Sequence, residues 1–150
     1  MMESFESMPL SDKCEAIIRL SSCPAIEHRL RRAFYCPLSR SINVPAKQFF
    51  ENEQEYYSTV FHEMIHWAIH ACRLAQNILT IQAKEYARLE IDAELGATYL
   101  CRTAGFTSDR SEAYIRQWMR TLRNNAHFLI NAGGTARMAE NFILCTGEWI

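Results

Sequence analysis

Beyond residue 51, apolar and polar residues follow the period of an amphipathic helix rather than the alternation of a strand. The clearest stretch repeats apolar residues at spacings of three and four: Tyr56, Val60, Met64 and Trp67. It predicts a helix from Asn52 to about Leu74. A second helix is predicted over Ala83–Cys101, with Gly105 as its stop. Most of the chain beyond residue 51 is therefore predicted to form long helices.

Two more helices are predicted towards the carboxyl end. Ser108 and Asp109 form the cap of the first, whose apolar positions are Tyr114, Ile115, Trp118 and Leu122. The second covers Ala126–Cys145. Gly133 and Gly134 are a weak point in it, because each glycine costs a helix about 1 kcal/mol relative to alanine.

The first half of the chain predicts a short helix and a β-hairpin. The helix covers Ser11–Leu20 and is capped by Ser11 and Asp12. Two β-prone runs, Ala33–Cys36 and Ser41–Val44, flank the turn residues Pro37–Arg40. Pro45 ends the second strand and favours an edge position for it. The fold class is thus α+β, with a flexible terminus over 1–10 and one domain over 11–150.

Composition narrows the functional classes. The 150 residues are 49% hydrophobic and carry a formal net charge of -1, so the chain can form a core and is not a general binder of polyanions. Its six cysteines include no CxxC pair. No uninterrupted apolar stretch is long enough for the core of a signal peptide near the start or for a membrane span elsewhere. We expect a cytoplasmic protein with free thiols and no contact with a membrane.

The strongest chemical signal is an HExxH motif inside the best-defined helix. His62 and His66 are four residues apart, so both imidazoles leave the same face and can bind one metal ion. Glu63 can then lie beside the ion and act as general base towards an activated water. Two solvent-facing histidines around a salt-bridging glutamate are the alternative. The apolar neighbours Phe61, Ile65 and Trp67 favour the metal site, because they predict a partly buried face.

A third ligand must come from elsewhere in the chain. The continuation HxxGxxH is absent, and His70 lies about 12 Å along the axis from His62. The second helix offers Glu90 and Glu94 on one face, with small residues that permit close approach of two helices. Either glutamate can complete a His-His-Glu site, and the other can accept the remaining N–H of a ligand histidine.

Several segments together resemble one known family: Ala33–Pro45, Glu55–Trp67, Tyr86–Arg88, Ala93–Ala97, Ala113–Met119 and Ala139–Leu144. The family that they resemble is the ArdC-type antirestriction proteins. The resemblance is to the carboxyl-terminal zincin-like metallopeptidase domain of that family, which recurs in phage and plasmid polyvalent proteins. It extends from about Ser11 to Leu144.

The resemblance implies a zincin-like fold, with a small amino-terminal sheet packed on a helical core, and one Zn²⁺ per chain. It assigns His62, His66 and Glu90 as ligands, Glu63 as catalytic base and Glu94 as the acid that orients a histidine. The implied function is peptide-bond hydrolysis on an unidentified protein or peptide substrate, in antirestriction or mobile-element biology. Two alternatives stay open: a non-catalytic antirestriction or interaction module with a structural zinc, and a protein associated with single-stranded DNA.

Two further expectations concern partners. ArdC-type proteins carry an amino-terminal domain that binds single-stranded DNA, and nothing of that size precedes Ser11, which makes direct DNA binding doubtful. One basic run exists, His28–Arg32, and it is a weak candidate for a nucleic-acid patch. For the substrate, the strand Ser41–Val44 is expected to be the sheet edge that aligns an extended peptide.

Overall fold

Four helices and a three-stranded sheet make up the described part of the molecule. The computed structural model describes residues 4–72, 83–107, 113, 116–117 and 126–145. The helices are α1 (Leu10–Leu20), α2 (Glu53–Ala71), α3 (Ala83–Thr103) and α4 (Ala126–Cys145), and the strands are β1 (Ile26–Glu27), β2 (Phe34–Cys36) and β3 (Ser41–Asn43). Short 3₁₀ turns cover Phe5–Ser7 and Lys47–Phe49. This α+β architecture confirms the predicted fold class.

The helix predictions over 11–20, 52–74 and 83–101 are confirmed within a few residues. One detail is wrong: α1 begins at Leu10, its cap is Pro9, and no side chain caps it. Proline has no N–H to satisfy, so it fits just before a first turn, and Asp12 then lies inside that turn near the positive end of the helix dipole. Gly105 does end α3: its φ is 93°, and its N–H donates to the carbonyl of Arg102.

At the carboxyl end, the helix predicted over Ala126–Cys145 is confirmed with the same bounds. Gly133 and Gly134 do not end it. The helix predicted after Ser108 lies largely outside the described residues, where only 113, 116 and 117 are described, and these are helical. The predicted end of α2 near Leu74 also lies outside them, since the description stops at Cys72.

The sheet has the order β1-β3-β2, which confirms the hairpin but changes its edges. β2 and β3 pair antiparallel with Tyr35 opposite Ile42, and β1 pairs parallel with β3 on its other side. The prediction that Ser41–Val44 forms the edge strand is therefore wrong. Two residues are too few for β1 to leave an alternation pattern in the sequence, so its presence could not be read there.

Helix α2 lies at the centre of the core. Its residues are buried on every side from Tyr56 to Ile65, because the sheet, α3 and α4 all pack against it. The aromatic pair Trp67 and Phe142 joins it to α4, with ring centroids 5.5 Å apart. Across the described residues, no helix has the length and apolar character needed to cross a membrane.

Candidate metal centre

The HExxH motif lies in the middle of α2, where the helix is most deeply buried. The helix is secured at its start by Asn52, whose side-chain oxygen accepts a hydrogen bond from the backbone N–H of Glu55 at 2.9 Å. His62 and Glu63 are buried and His66 is partly buried. One ligand atom from each of the three lies within 4.8 Å of the others, as holding a single ion requires.

Glu90 of α3 lies between the two histidines. Its Oε2 is 3.0 Å from Nε2 of His62, and its Oε1 is 3.0 Å from Nε2 of His66. Both contacts use the nitrogen that faces away from its own backbone, and both end on the same carboxyl group. The two Nε2 atoms and the carboxyl group therefore converge on one point, where a cation would be bound.

Glu94 makes a different contact, one turn further along α3. Its Oε2 lies 2.7 Å from Nδ1 of His62, and its side chain is 2% exposed. A carboxylate in this position accepts the Nδ1–H and leaves Nε2 of His62 with a lone pair directed towards Glu90. The geometry therefore distinguishes the two glutamates, which the sequence by itself left interchangeable.

Close packing of α2 and α3 makes both contacts possible. Gly96 faces Ile65, and a Cβ built on Gly96 would lie 2.6 Å from Cδ1 of Ile65. Ala93 and Ala97 are fully buried on either side of it. The prediction that small residues on α3 permit a close approach is confirmed at this contact.

The protonation of the cluster reflects burial and mutual pairing. Burial alone would lower the pKa of His62, but hydrogen bonds to Glu90 and Glu94 outweigh it and raise that pKa. Burial would likewise raise the pKa of Glu90, but the two histidines outweigh it and hold that pKa well below its usual range. The pKa of Glu63 is raised, first by burial and then by the charges of Glu90 and Glu94, with both histidines opposing.

The charge of the cluster is suited to binding a cation. Among the described residues, three buried carboxyl groups, those of Glu63, Glu90 and Glu94, lie together with two histidines. Ionised together, the three acids exceed the positive charge that both imidazoles can carry, and a buried net charge is costly. A divalent ion that accepts imidazole and carboxylate ligands, such as Zn²⁺ or Mn²⁺, fits this donor set.

Comparison with known proteins supports the same conclusion. Residues 12–135 match the family model described as zincin-like metallopeptidase. The chain belongs to the zincin-like metallopeptidase family. The family's match extends over the whole of α2 and α3, and so includes all five residues of the candidate centre.

Solved relatives of this zincin-like chain include the antirestriction protein ArdC of plasmid R388. Its Mn(II)-bound crystal structure superposes with a TM-score of 0.76 at 27% identity, covering 93% of this chain and 53% of that one. Its metal-free structure gives a TM-score of 0.71 at 28% identity, covering 90% and 50%. The resemblance to ArdC-type antirestriction proteins is thereby confirmed.

Two curated relatives are DNA primases named TraC, both from Escherichia coli. They are 29% and 28% identical to this chain over 136 residues. The match covers 89% of this chain but only 13% and 9% of theirs. The zincin-like chain thus corresponds to about half the length of ArdC and to a small part of these primases.

Sequence reasoning gave Tyr86 no role, yet it belongs to the same helix face of this zincin. It precedes Glu90 by one turn, hydrogen-bonds to that glutamate, and is 47% exposed. Burial and the charge of Glu90 raise its pKa to about 12. The four-residue spacing of Tyr86, Glu90 and Glu94 was the signal that could have revealed it.

His70 does not join the centre. Its Nδ1 lies 2.6 Å from the hydroxyl of Tyr35, so it ties the last turn of α2 to strand β2. This agrees with the sequence argument that the helix rise separates His70 from His62 by about 12 Å.

Proposed function

We propose that this chain is a zinc-dependent peptidase with one zinc ion held by His62, His66 and Glu90. Glu63 is its general base, and Glu94 orients His62. The observation that carries the proposal is the convergence of Nε2 of His62 and Nε2 of His66, each 3.0 Å from the one carboxyl group of Glu90. Family membership supports peptide hydrolysis as the reaction.

The chemistry follows from how these groups are held. A zinc ion bound here would polarise a peptide carbonyl and favour ionisation of water near neutral pH. Glu63 accepts a proton from the attacking water and returns it to the leaving amine. Its place next to His62 keeps it beside the ligand atoms without occupying a ligand position. Burial of Glu63 and Glu94 limits competition from solvent for these proton contacts.

Zinc is favoured over manganese by the ligands themselves. Two imidazoles and one carboxylate suit Zn²⁺, and zinc binds a given nitrogen and oxygen site more tightly than Mn²⁺. The ArdC crystal contained Mn(II), so the site of that relative accepts manganese. For this chain we expect zinc to displace manganese when both are supplied at equal concentration.

The test combines metal content with hydrolysis. The chain is stripped with a chelator, reloaded with Zn²⁺ and dialysed, and its zinc is measured by mass spectrometry beside cleavage of fluorescein-labelled casein. Parent and Glu63→Gln should both hold one zinc, while Glu63→Gln loses about 100-fold or more in rate. Glu53→Gln, exposed in the first turn of the same helix, is the matched control and should behave as the parent.

Each negative result removes a different part of the proposal. A parent chain that retains no zinc contradicts the metal site. Equal cleavage by parent and Glu63→Gln contradicts the role of Glu63. Bound zinc with no cleavage of casein or of a random peptide library contradicts the peptidase assignment and leaves the site structural.

Similarity to ArdC favours a second candidate, an antirestriction function that needs no catalysis. The two are separated by plating phage on restricting cells that express the parent or Glu63→Gln. Protection by the parent alone means that hydrolysis is the mechanism. Equal protection by both means that the chain acts by binding a protein of the restriction process.

A further inference from the structure

A basic surface is formed by the segment between β1 and β2 and by the 3₁₀ turn at Lys47–Phe49, and the peptidase proposal uses none of its residues. From His28 to Phe50 the sequence has five basic residues and no acidic residue. Residues 28–33 are all exposed, and Phe49 is 49% exposed. We call the set Arg29, Arg31, Arg32, Phe34 and Phe49 the arginine–phenylalanine surface.

Two arginines of this surface lie over aromatic rings. The guanidinium carbon of Arg31 is 4.2 Å from the ring centroid of Phe49, and that of Arg32 is 5.4 Å from the centroid of Phe34. A guanidinium over a ring keeps its N–H edge free for an anion. The guanidinium groups thus place positive charge directly beside aromatic rings on which a base can stack.

The loop that presents the arginines is fixed by one buried side chain. The Oδ1 of Asn43 accepts hydrogen bonds from the N–H of Arg29 and of Leu30, at 3.0 and 3.2 Å. Its Nδ2 donates to the carbonyls of Leu30 and Arg32, at 2.9 and 2.7 Å. Because β3 holds Asn43 in the middle of the sheet, the backbone that carries the arginines is fixed before any ligand arrives, which lowers the entropic cost of binding.

Little negative charge opposes these arginines. Arg29 pairs with Glu27 at 2.9 Å, and its side chain stays 78% exposed. The ion pairs of the described residues include no carboxylate on Arg31 or Arg32. Of the 17 acidic residues in the chain, seven lie on α2 and α3, and none lies between His28 and Phe50.

We infer that the arginine–phenylalanine surface binds single-stranded nucleic acid. Arginines interleaved with exposed aromatic rings bind such strands through phosphate contacts and base stacking. An acidic peptide would be bound through the charges alone, whereas a nucleic-acid strand can also stack a base on the half-exposed ring of Phe49. The sequence alone made the run His28–Arg32 a weak candidate for a nucleic-acid patch, and the aromatic rings beneath Arg31 and Arg32 are the observation that strengthens it.

The probe is fluorescein-labelled dT20, measured by anisotropy with the full chain in EDTA, so that the outcome is independent of the metal site. We expect micromolar binding at 20 mM NaCl. The logarithm of the binding constant should fall with the logarithm of salt with a slope of about -2, as neutralisation of three phosphates of a single strand implies. Arg31→Ser/Arg32→Ser should bind at least about tenfold more weakly, and Phe49→Ala about fivefold.

The matched control is Arg19→Ser/Arg102→Ser, which removes the same charge from exposed positions at the ends of α1 and α3. It should change the affinity by less than about twofold. The melting temperatures of all variants are compared with that of the parent. If the serine pair unfolds, Arg31→Lys/Arg32→Lys replaces it. The lysine pair should keep the salt slope and lose affinity. Absence of dT20 binding at 20 mM NaCl, an equal loss in the control, or equally tight binding of poly-glutamate would overturn the inference.

Discussion

The sheet and the α2–α3 pair both bury polar side chains, but they satisfy them in different ways. In the sheet, Asn43 is neutral and makes four hydrogen bonds to the backbone of residues 29–32. Between the helices, His62, Glu90 and Glu94 are ionisable and pair with one another. One arrangement is complete as it is, whereas the other is complete only with a proton or a cation between its members.

This difference indicates which region is built for chemistry. A buried amide that satisfies backbone groups holds a loop in place and needs no other explanation. Buried ionisable groups are often less stabilising than apolar residues of the same volume. A cluster of three buried acids and two histidines therefore reduces the stability available to the core, and binding of a cation offsets that cost.

The largest effect is expected at Glu90. Loss of one of three ligands should remove about a third of a binding free energy of roughly 10–16 kcal/mol, so Glu90→Ala should weaken zinc affinity about 1,000-fold or more. Glu94→Ala removes only the partner of Nδ1 on His62 and should weaken it about 10–100-fold. Titration of each variant against a zinc-buffered chelator measures both numbers.

Glutamine at each position preserves volume and controls for packing. Excess zinc should refill the Glu94 variant and restore part of its activity, but not the Glu90 variant. The reverse ranking would mean that the roles of the two carboxylates are exchanged. If both variants bound zinc as tightly as the parent, neither glutamate would belong to the site, and the contrast between the two regions would fail.

The second effect tests whether the sheet is independent of the site. Asn43→Ala removes four part-buried hydrogen bonds to the backbone of residues 29–32, which should destabilise the fold by about 3 kcal/mol. Zinc affinity should stay within about threefold of the parent, because Asn43 makes no contact with α2 or α3 in its hydrogen bonds. Urea unfolding and zinc titration give the two values, and a coupled loss of both would show that the regions are not separate.

Much of this contrast could be read from the sequence. The spacing of four residues placed His62 and His66 on one helix face, and the same spacing placed Glu90 and Glu94 on another. The roles of the five site residues remain predictions that the metal titrations above will test. The helix period predicts the face on which each of these residues lies, because all of them are inside long helices.

The remainder could not be read because it depends on contacts between distant segments. β1 has only two residues, and its pairing with β3 was invisible, which misplaced the sheet edge. The hydrogen bond of Tyr35 to His70 links positions 35 residues apart. Likewise, the stacking of Arg31 on Phe49 depends on how the 3₁₀ turn at 47–49 meets the loop, and no local pattern encodes that.

A third prediction uses a buried acid that the site does not use. Asp92 is 2% exposed, and its Oδ1 has no hydrogen-bond partner among the described residues. Burial raises its pKa to about 7, with Arg88 opposing. The folded chain thus keeps a proton that the unfolded chain has lost, so stability falls as pH rises from about 4 to 7.

Asp92→Asn cannot ionise and should remove this loss. Its free energy of unfolding, minus that of the parent, should increase by about 2 kcal/mol between pH 4.5 and pH 7.5, after discounting for relaxation around the charge. The change with pH carries the prediction, since replacing the acid by an amide also changes the stability by an amount that is the same at every pH. A difference that is constant or decreases with pH would contradict a buried, protonated Asp92.

The smallest effect is expected at Gly96, whose lack of a side chain allows α2 and α3 to approach closely. A Cβ there would lie 2.6, 2.7 and 2.9 Å from three side-chain carbons of Ile65, so either Ile65 or the helix must shift. Overpacking of this kind costs about 1–3 kcal/mol, and the gain of about 1 kcal/mol from replacing a helical glycine offsets part of it. Gly96→Ala should thus destabilise the fold by only about 1 kcal/mol. Because the shift separates Glu90 from its histidines, zinc affinity should fall about threefold to tenfold. Gly96→Ala combined with Ile65→Ala, which removes all three of these carbons, should recover the zinc affinity at a further cost in stability, and failure to recover affinity would mean that helix spacing does not position the ligands.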